Sequence, residues 1–425
     1  MFIAGERLER SELASRHERC RALMRTLLPD AGGLLVAGHP ALYYFTGTTA
    51  SGVFWLPLEG SPVLAVRKGI ERAGLESPLE TLAAYRSFRE LPAILKNAGS
   101  PLTDAFAVDK AGISWQQAER LTSRLPGRRF LSGDAVIART RAVKSEWERA
   151  KLREAGKRNH TATREMLPAR IRPGMSELAI AHTLWGVFFE LGHCGPSPSG
   201  MPGPELFLGY VCAGENGNYP SAYNGPLGVM GAHPAAPTMG RADRVWMEGG
   251  ILAIDAGFNF EGYLSDKTDV YFAGAPDAVP GPVRKAQEAA EAIDAMAASM
   301  LRPGTRPSDI YAESLRMAGE FGFAEGFMGL GGNKVPFLGH GIGLTVSEWP
   351  IIARSFTEPL LPGMVMALEP KIGLREFGMV GTENTYEITE TGARSITGDG
   401  RGIICVDRAP AAEKSSARPD YRRVS

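Results

Sequence analysis

Two aspartates eleven residues apart, Asp255 and Asp266, lie in the stretch Ile251 to Gly274, ILAIDAGFNFEGYLSDKTDVYFAG. The stretch reads as an apolar strand, a turn containing Asn259 and Gly262, and a second apolar strand, with one carboxylate on each strand. Two such segments joined by about three to five residues that include Gly predict a hairpin with a bulge or a longer loop. Pairing of the strands brings both carboxylates into one apolar setting, where like charges repel and burial disfavours the ionised form. Each aspartate then needs a proton, a cationic partner or a metal ion.

Three later segments carry groups of the same kind. FLGHGIGL sets His340 between Gly339 and Gly341, where a backbone can approach closely. MALEPKIG ends an apolar strand on Glu369, followed by Pro370. MVGTENTYEITETG puts Glu383 early in a strand that faces the previous one across a turn near Gly378. One glutamate beside a strand is ordinarily a surface residue, and one histidine in a glycine loop is ordinarily structural. Four carboxylates and an imidazole in sheet-like, glycine-edged settings within 130 residues point to a shared site.

The elements that must position these groups follow from composition and periodicity. A chain of 425 residues, 44% apolar and 22% charged with zero formal net charge, fits a soluble globular protein of two domains and gives no nucleic-acid or membrane-surface signature. No run of about 18 apolar residues and no signal-peptide core is visible, and the four cysteines lack CxxC spacing. A cytoplasmic location with reduced, structural cysteines is therefore expected. Residues 1–140 read as a compact α/β domain without a chemical cluster, opening on a helix over about 8–30. A boundary is expected just before 141, with Ser145 and Glu148 forming a capping box at the start of a charged helix. Helices are expected at 176–192, 281–301 and 307–322. Between them, 193–242 is rich in Gly, Pro, Ser and Asn with interspersed aromatics, and is expected to be an ordered covering loop. Residues 408–425 read as a polar tail.

The motifs D-x-G…GY-x-SD-x-T (Asp255, Gly257, Gly262, Tyr263, Ser265, Asp266, Thr268), GHGIGL (Gly339 to Leu344), LEP (Leu368 to Pro370) and GxEN (Gly381 to Asn384) resemble those of the pita-bread metallopeptidase superfamily. That superfamily includes aminopeptidase P, prolidase and methionine aminopeptidase, with creatinase as a non-peptidase relative. The resemblance covers about 141–400, and residues 1–140 resemble the creatinase-type N-terminal domain more weakly. It implies an α+β chain with a C-terminal pita-bread catalytic domain over 141–407. It also implies two divalent metal ions: Asp266 and Glu383 bridging, Asp255 chelating one ion, His340 and Glu369 binding the other, and Glu369 or a neighbouring bridging carboxylate accepting the proton of an attacking water. Oxygen donors with one imidazole suit Mn²⁺ first, with Co²⁺, Fe²⁺ and Zn²⁺ as alternatives. A homodimer and a small peptide or small-molecule substrate are implied in the same way.

Three positions depart from the family pattern. Ser347, in Val346-Ser347-Glu348-Trp349-Pro350, stands where these peptidases carry a second histidine, and a serine hydroxyl does not titrate near neutral pH. Asp269 and Gly381 stand where two supporting arginines are expected, so the surroundings of the ligands are altered. His233, in GAHPAAPTMGR, is a candidate for the family's substrate-binding histidine if an insertion separates it from Asp255. His39, His160, His182 and His193 read as structural or surface histidines. The resemblance implies a dinuclear hydrolase cleaving Xaa-Pro or related peptide bonds. Alternatives on the same scaffold are a metal-dependent lyase of the dimethylsulfoniopropionate-cleaving kind, an amidinohydrolase, or a metal-binding interaction module.

Overall fold

The computed structural model describes residues 2–199 and 206–407. Part of the Gly/Pro-rich stretch (200–205) and the polar tail (408–425) lie outside the described residues. The chain divides into two units, one of residues 1–150 with 343–349 and 363–365, the other made of the rest.

The N-terminal unit is built on a six-stranded sheet of β1 (Gly33–Val36), β2 (Ser51–Pro57), β3 (Val63–Lys68), β4 (Leu82–Ala84), β5 (Ala105–Val108) and β6 (Arg129–Ser132), in the order β4-β3-β2-β1-β5-β6. β1–β2–β3 pair antiparallel, while β4, β5 and β6 are added in parallel. Trp55, Phe106, Leu35 and Val63 bury one face of this sheet, as their apolar runs require. The unit extends ten residues past the expected boundary. Ser145 and Glu148 form the expected capping box: the Ser145 N–H donates to Glu148 Oε2 at 3.0 Å and the Glu148 N–H to Ser145 Oγ at 3.2 Å. That helix, Glu146–His160, begins inside the N-terminal unit because its first turn is anchored there. The Ser145 hydroxyl donates to Glu12 at 2.8 Å, and Glu148 lies 4.0 Å from Arg16. Long-range ion pairs of this kind leave no mark in local periodicity.

In the second unit, β7 (Gly209–Ala213), β8 (Ile251–Phe260) and β9 (Tyr263–Ala273) form an antiparallel series, extended by β17 (Ile404–Val406), parallel to β9. A second sheet has the order β11-β10-β12-β15-β16, from β10 (Gly339–Gly341), β11 (Glu348–Ile352), β12 (Val365–Leu368), β15 (Asn384–Ile388) and β16 (Ala393–Ser395). The hairpin of β13 (Lys371–Leu374) and β14 (Gly378–Gly381) lies between β12 and β15 in sequence. Helices Glu177–Glu190, Gly281–Met300 and Pro307–Glu320 fall within the expected spans, the first capped by the Ser176 hydroxyl. Ile180, Leu184 and Phe188 of that first helix share a core with Val211, Ile254 and Phe258 of the β7–β9 sheet.

Two expectations are corrected. The β8–β9 connection is a two-residue turn, Glu261–Gly262, rather than a bulged or longer loop. Both residues have positive φ (51° and 89°), as the tight primed hairpin turn requires, and Asn259 stays in the strand, its Oδ1 accepting the Gly262 N–H at 2.9 Å. The stretch 193–242 is also not loop throughout, since Gly209–Ala213 pairs along β8 from Ala256 to Leu252. Its glycine and proline neighbours mask a five-residue strand that is buried at every position.

Candidate metal centre

The site forms where the two sheets of the second unit meet. Thr268 of β9 and Glu383, just before β15, make an antiparallel bridge, with backbone N–H…O distances of 3.3 Å in both directions. A second tie holds the strands in register: Thr385 Oγ1 accepts the Asp266 N–H at 3.0 Å and donates to the Asp266 carbonyl at 2.9 Å. On the β8–β9 ladder Asp255 faces Thr268 and Gly257 faces Asp266, so strand alternation puts both aspartates on one face. His340 comes from β10, which pairs with β12 at Ala367 and carries the imidazole beside Glu369 at the end of β12.

Three of the five expected ligands converge closely. Asp266, His340 and Glu383 each offer a ligand atom within 4.8 Å of the others, and all three are buried. Glu369 Oε1 lies 3.6 Å from His340 Nε2. Asp255 is held at the same site through a residue the sequence reading passed over, Lys371. Its Nζ lies 3.2 Å from Asp255 Oδ2, 2.9 Å from Glu369 Oε2 and 2.6 Å from Glu383 Oε2, and its side chain is fully buried. Burial alone would lower the lysine pKa; the Asp255, Glu369 and Glu383 carboxylates outweigh it and hold the ammonium well above its ordinary value. Burial likewise raises Asp255 to about 6, against the pull of Lys371, and pushes Asp266 and Glu369 well above the usual carboxylate range.

The donor set fits a divalent ion. Glu383 Oε2 accepts from Lys371 and, at 3.0 Å, from Thr268 Oγ1, whereas its Oε1 is buried without a hydrogen-bond partner among the described residues. Leaving a carboxylate oxygen buried and unpartnered is costly, and a cation shared with Asp266 and His340 relieves it. Thr268 orients this ligand from behind. Thr268→Val is expected to weaken metal affinity about 10–100-fold with the fold intact, measured by competition with a chelator of known affinity.

The altered positions have local explanations. Asp269 points to the opposite face of β9 from Asp266, where Arg164 reaches it at 2.6 Å and the Thr163 hydroxyl at 2.8 Å. Lys267, on the same face, lies 3.7 Å from Asp269 and donates to Asn384 Oδ1 at 2.9 Å. Gly381 (φ 143°) sits directly across the β13–β14 ladder from Lys371, and a Cβ there would come within 2.3 Å of the Pro370 carbonyl and 2.7 Å of Lys371 Cα. A side chain at 381 would therefore collide with the backbone of Pro370 and Lys371. Ser347 is half-buried in the segment 343–349 of the N-terminal unit.

His233 is exposed in a turn of its own. Its N–H donates to the Ala236 carbonyl, and its Nδ1 accepts the Ala235 N–H at 3.1 Å. It is not part of the converging ligand set. His193 is buried, accepts the Asn259 N–H through Nδ1 at 2.9 Å, and is lowered by burial to about 4. His160 Nδ1 lies 2.9 Å from the Thr397 carbonyl oxygen, and His182 is exposed. All four cysteines are free. Among the described residues no helix is long and apolar enough to cross a membrane.

Residues 150–390 match the family model for metallopeptidase family M24, and residues 16–143 match that for the creatinase/prolidase N-terminal domain. The chain is 27% identical over 410 residues to a probable dipeptidase PepE of Mycobacterium tuberculosis, covering 92% of this chain and 96% of that one. It is 24% identical over 373 residues to an Xaa-Pro dipeptidase of Pyrococcus furiosus, covering 87% and 94%. The fold superposes on the prolidase of Pyrococcus horikoshii with a TM-score of 0.73 at 22% identity, over 92% of this chain and all of that one. Dipeptidase PepE of Mycobacterium ulcerans superposes with a TM-score of 0.75 at 23% identity, over 95% and 100%.

Proposed function

The chain belongs to metallopeptidase family M24, with a creatinase-type N-terminal domain ahead of the pita-bread domain, and from that premise we propose that it is a metal-dependent hydrolase of dipeptides or of the N-terminal bond of short peptides, Xaa-Pro bonds among them. The observation that carries this reading is the Glu383 carboxylate, buried with one oxygen anchored and the other unpartnered, within ligand reach of Asp266 and His340. Relatives named dipeptidase and Xaa-Pro dipeptidase, aligned over nearly their whole length, support the substrate class.

Asp266, His340 and Glu383 would hold a divalent ion, Mn²⁺ first, with Glu369 Oε1 beside His340. Such an ion supplies Lewis acidity toward a peptide carbonyl and makes water acidic enough to deprotonate near neutral pH. The residues of the chain do the rest. Glu369 accepts the proton of the attacking water at Oε1, while Lys371 grips Oε2 and fixes the carboxylate's orientation. The burial of these side chains keeps bulk water away and strengthens every charge contact around the reacting bond. The family resemblance adds a second ion on Asp255, bridged by Asp266 and Glu383, but Asp255 Oδ2 is engaged by Lys371. His233 contributes little to catalysis in this reading, since its imidazole is spent on its own turn. His233→Ala is expected to change kcat/KM less than about threefold, against the tenfold or larger loss a hydrogen bond to the transition state would give.

A hydrolase or lyase acting on a small molecule is the second reading, favoured by Ser347 where the peptidases carry a histidine. The experiment that separates the two is a turnover screen of Mn²⁺- and Co²⁺-loaded protein over dipeptides, proline-containing tripeptides and small non-peptide amides. Hydrolysis of dipeptides bears out the first reading. Turnover confined to non-peptide amides overturns it in favour of the second.

A further inference from the structure

The position of Lys371 bears on how many ions this centre can hold, and the argument rests on the metal-dependent reading above. Three protons on its ammonium meet three carboxylate oxygens: Asp255 Oδ2, Glu369 Oε2 and Glu383 Oε2, at 3.2, 2.9 and 2.6 Å. A second divalent ion bound by Asp255 and Glu383 would need their oxygens at roughly 2.0–2.2 Å. It would therefore have to enter the space the nitrogen fills, with a positive charge pressed against it.

The lysine has no room to withdraw. Its side chain is fully buried, and its backbone is paired with Gly381 across β13–β14. Its carbonyl accepts the Met328 N–H at 2.9 Å. Across the hairpin a Cβ at 381 would meet the Lys371 backbone, so the two strands are closely packed at this position. On the other side of Glu383, the unpartnered Oε1 belongs to a carboxylate that lies within ligand reach of Asp266 and His340.

We propose that the ammonium group of Lys371 takes the place of a second metal ion, so that this centre binds one divalent cation per chain. Asp255 is then the lysine's counter-charge rather than a metal ligand. The fixed ammonium neutralises Asp255, Glu369 and Glu383 at that position, but it offers no coordination site for water or substrate.

The test is the metal count of the full chain, stripped with a chelator, reloaded with Mn²⁺ and dialysed, read by elemental analysis and by electron paramagnetic resonance. Wild type is expected to hold about one Mn²⁺ per chain with the six-line signal of an isolated ion. Lys371→Ala is expected to admit a second ion and give a spin-coupled signal, while Lys371→Arg, which keeps the charge, stays at one. Two tightly held ions in the wild type overturn the proposal, as does a folded Lys371→Ala chain that still takes only one. If Lys371→Ala does not fold, the wild-type and Lys371→Arg counts decide the matter. One ion without hydrolysis of any peptide ends the peptidase reading and leaves the role of Lys371 standing; two ions with peptidase activity do the reverse.

Discussion

Glu383→Gln is expected to release the bound ion on dialysis and to lower kcat/KM by about three orders of magnitude. The substitution keeps the size of the side chain and leaves an oxygen to accept from Thr268 and Lys371, which now approach the Glu383 Oε2 at 3.0 and 2.6 Å. What it removes is the charge on Oε1, the buried oxygen without a partner. A neutral amide oxygen is a much weaker ligand for a hard divalent ion than a carboxylate. Losing several kcal/mol of Lewis-acid stabilisation corresponds to a factor of about 10³ in rate. Metal content and steady-state kinetics on the same preparation check this, with circular dichroism showing that the fold persists. Full metal content in Glu383→Gln would remove Glu383 from the ligand set.

The second large effect lies in the N-terminal unit and concerns stability. Glu348 is buried, with Arg141 bonded to its Oε1, Lys144 Nζ 3.1 Å from Oε2, and the Thr345 N–H donating at 3.2 Å. Burial alone would raise its pKa; the Arg141 guanidinium and Lys144 ammonium outweigh burial and hold the carboxyl down to about 2, against an ordinary value of 4.5. A depressed pKa means that the charged form stabilises the fold above pH 4.5, and that this contribution fades as pH falls from about 4.5 through about 2. At neutral pH the depression corresponds to roughly 3 kcal/mol. Glu348→Gln leaves two buried cations without their counter-charge, so a loss of about 3–5 kcal/mol is expected, or a Tm lower by roughly 10 °C. The gap between wild type and variant should close as pH is lowered through that window. A gap that does not change with pH would show that Glu348 acts through packing rather than charge.

The residues that gather at the candidate site stood out in the sequence because each sits in a setting that a bland role does not need. Asp255 and Asp266 interrupt apolar strands, His340 is flanked by glycines, and Glu369 and Glu383 lie at strand ends. The outlines of the helices were legible too, since periodicity and the caps at Ser145 and Ser176 are local signals. Lys371 was not, because a lysine two residues past a strand end reads like any solvated side chain. Its meaning comes from three carboxylates supplied by β8, by the residue after β12 and by the residue before β15. The available clue was the need, already stated for paired aspartates in an apolar hairpin, for a cationic partner as an alternative to a metal. The chain supplies that cation in Lys371, beside a cluster of Asp266, His340 and Glu383 whose ligand atoms lie within 4.8 Å of one another. The contacts that Glu12 and Arg16 make with the start of a helix more than 100 residues further along leave no local mark for the same reason.

The most direct test of the account is a titration of dipeptide hydrolysis against bound metal. The chain is stripped with a chelator, and Mn²⁺ is returned in substoichiometric steps while the cleavage rate of an Xaa-Pro dipeptide and of a proline-free dipeptide is followed. The account predicts no cleavage by the stripped protein and a rate that rises in proportion to bound ion. Cleavage by the stripped protein at the rate of the reloaded one would contradict it.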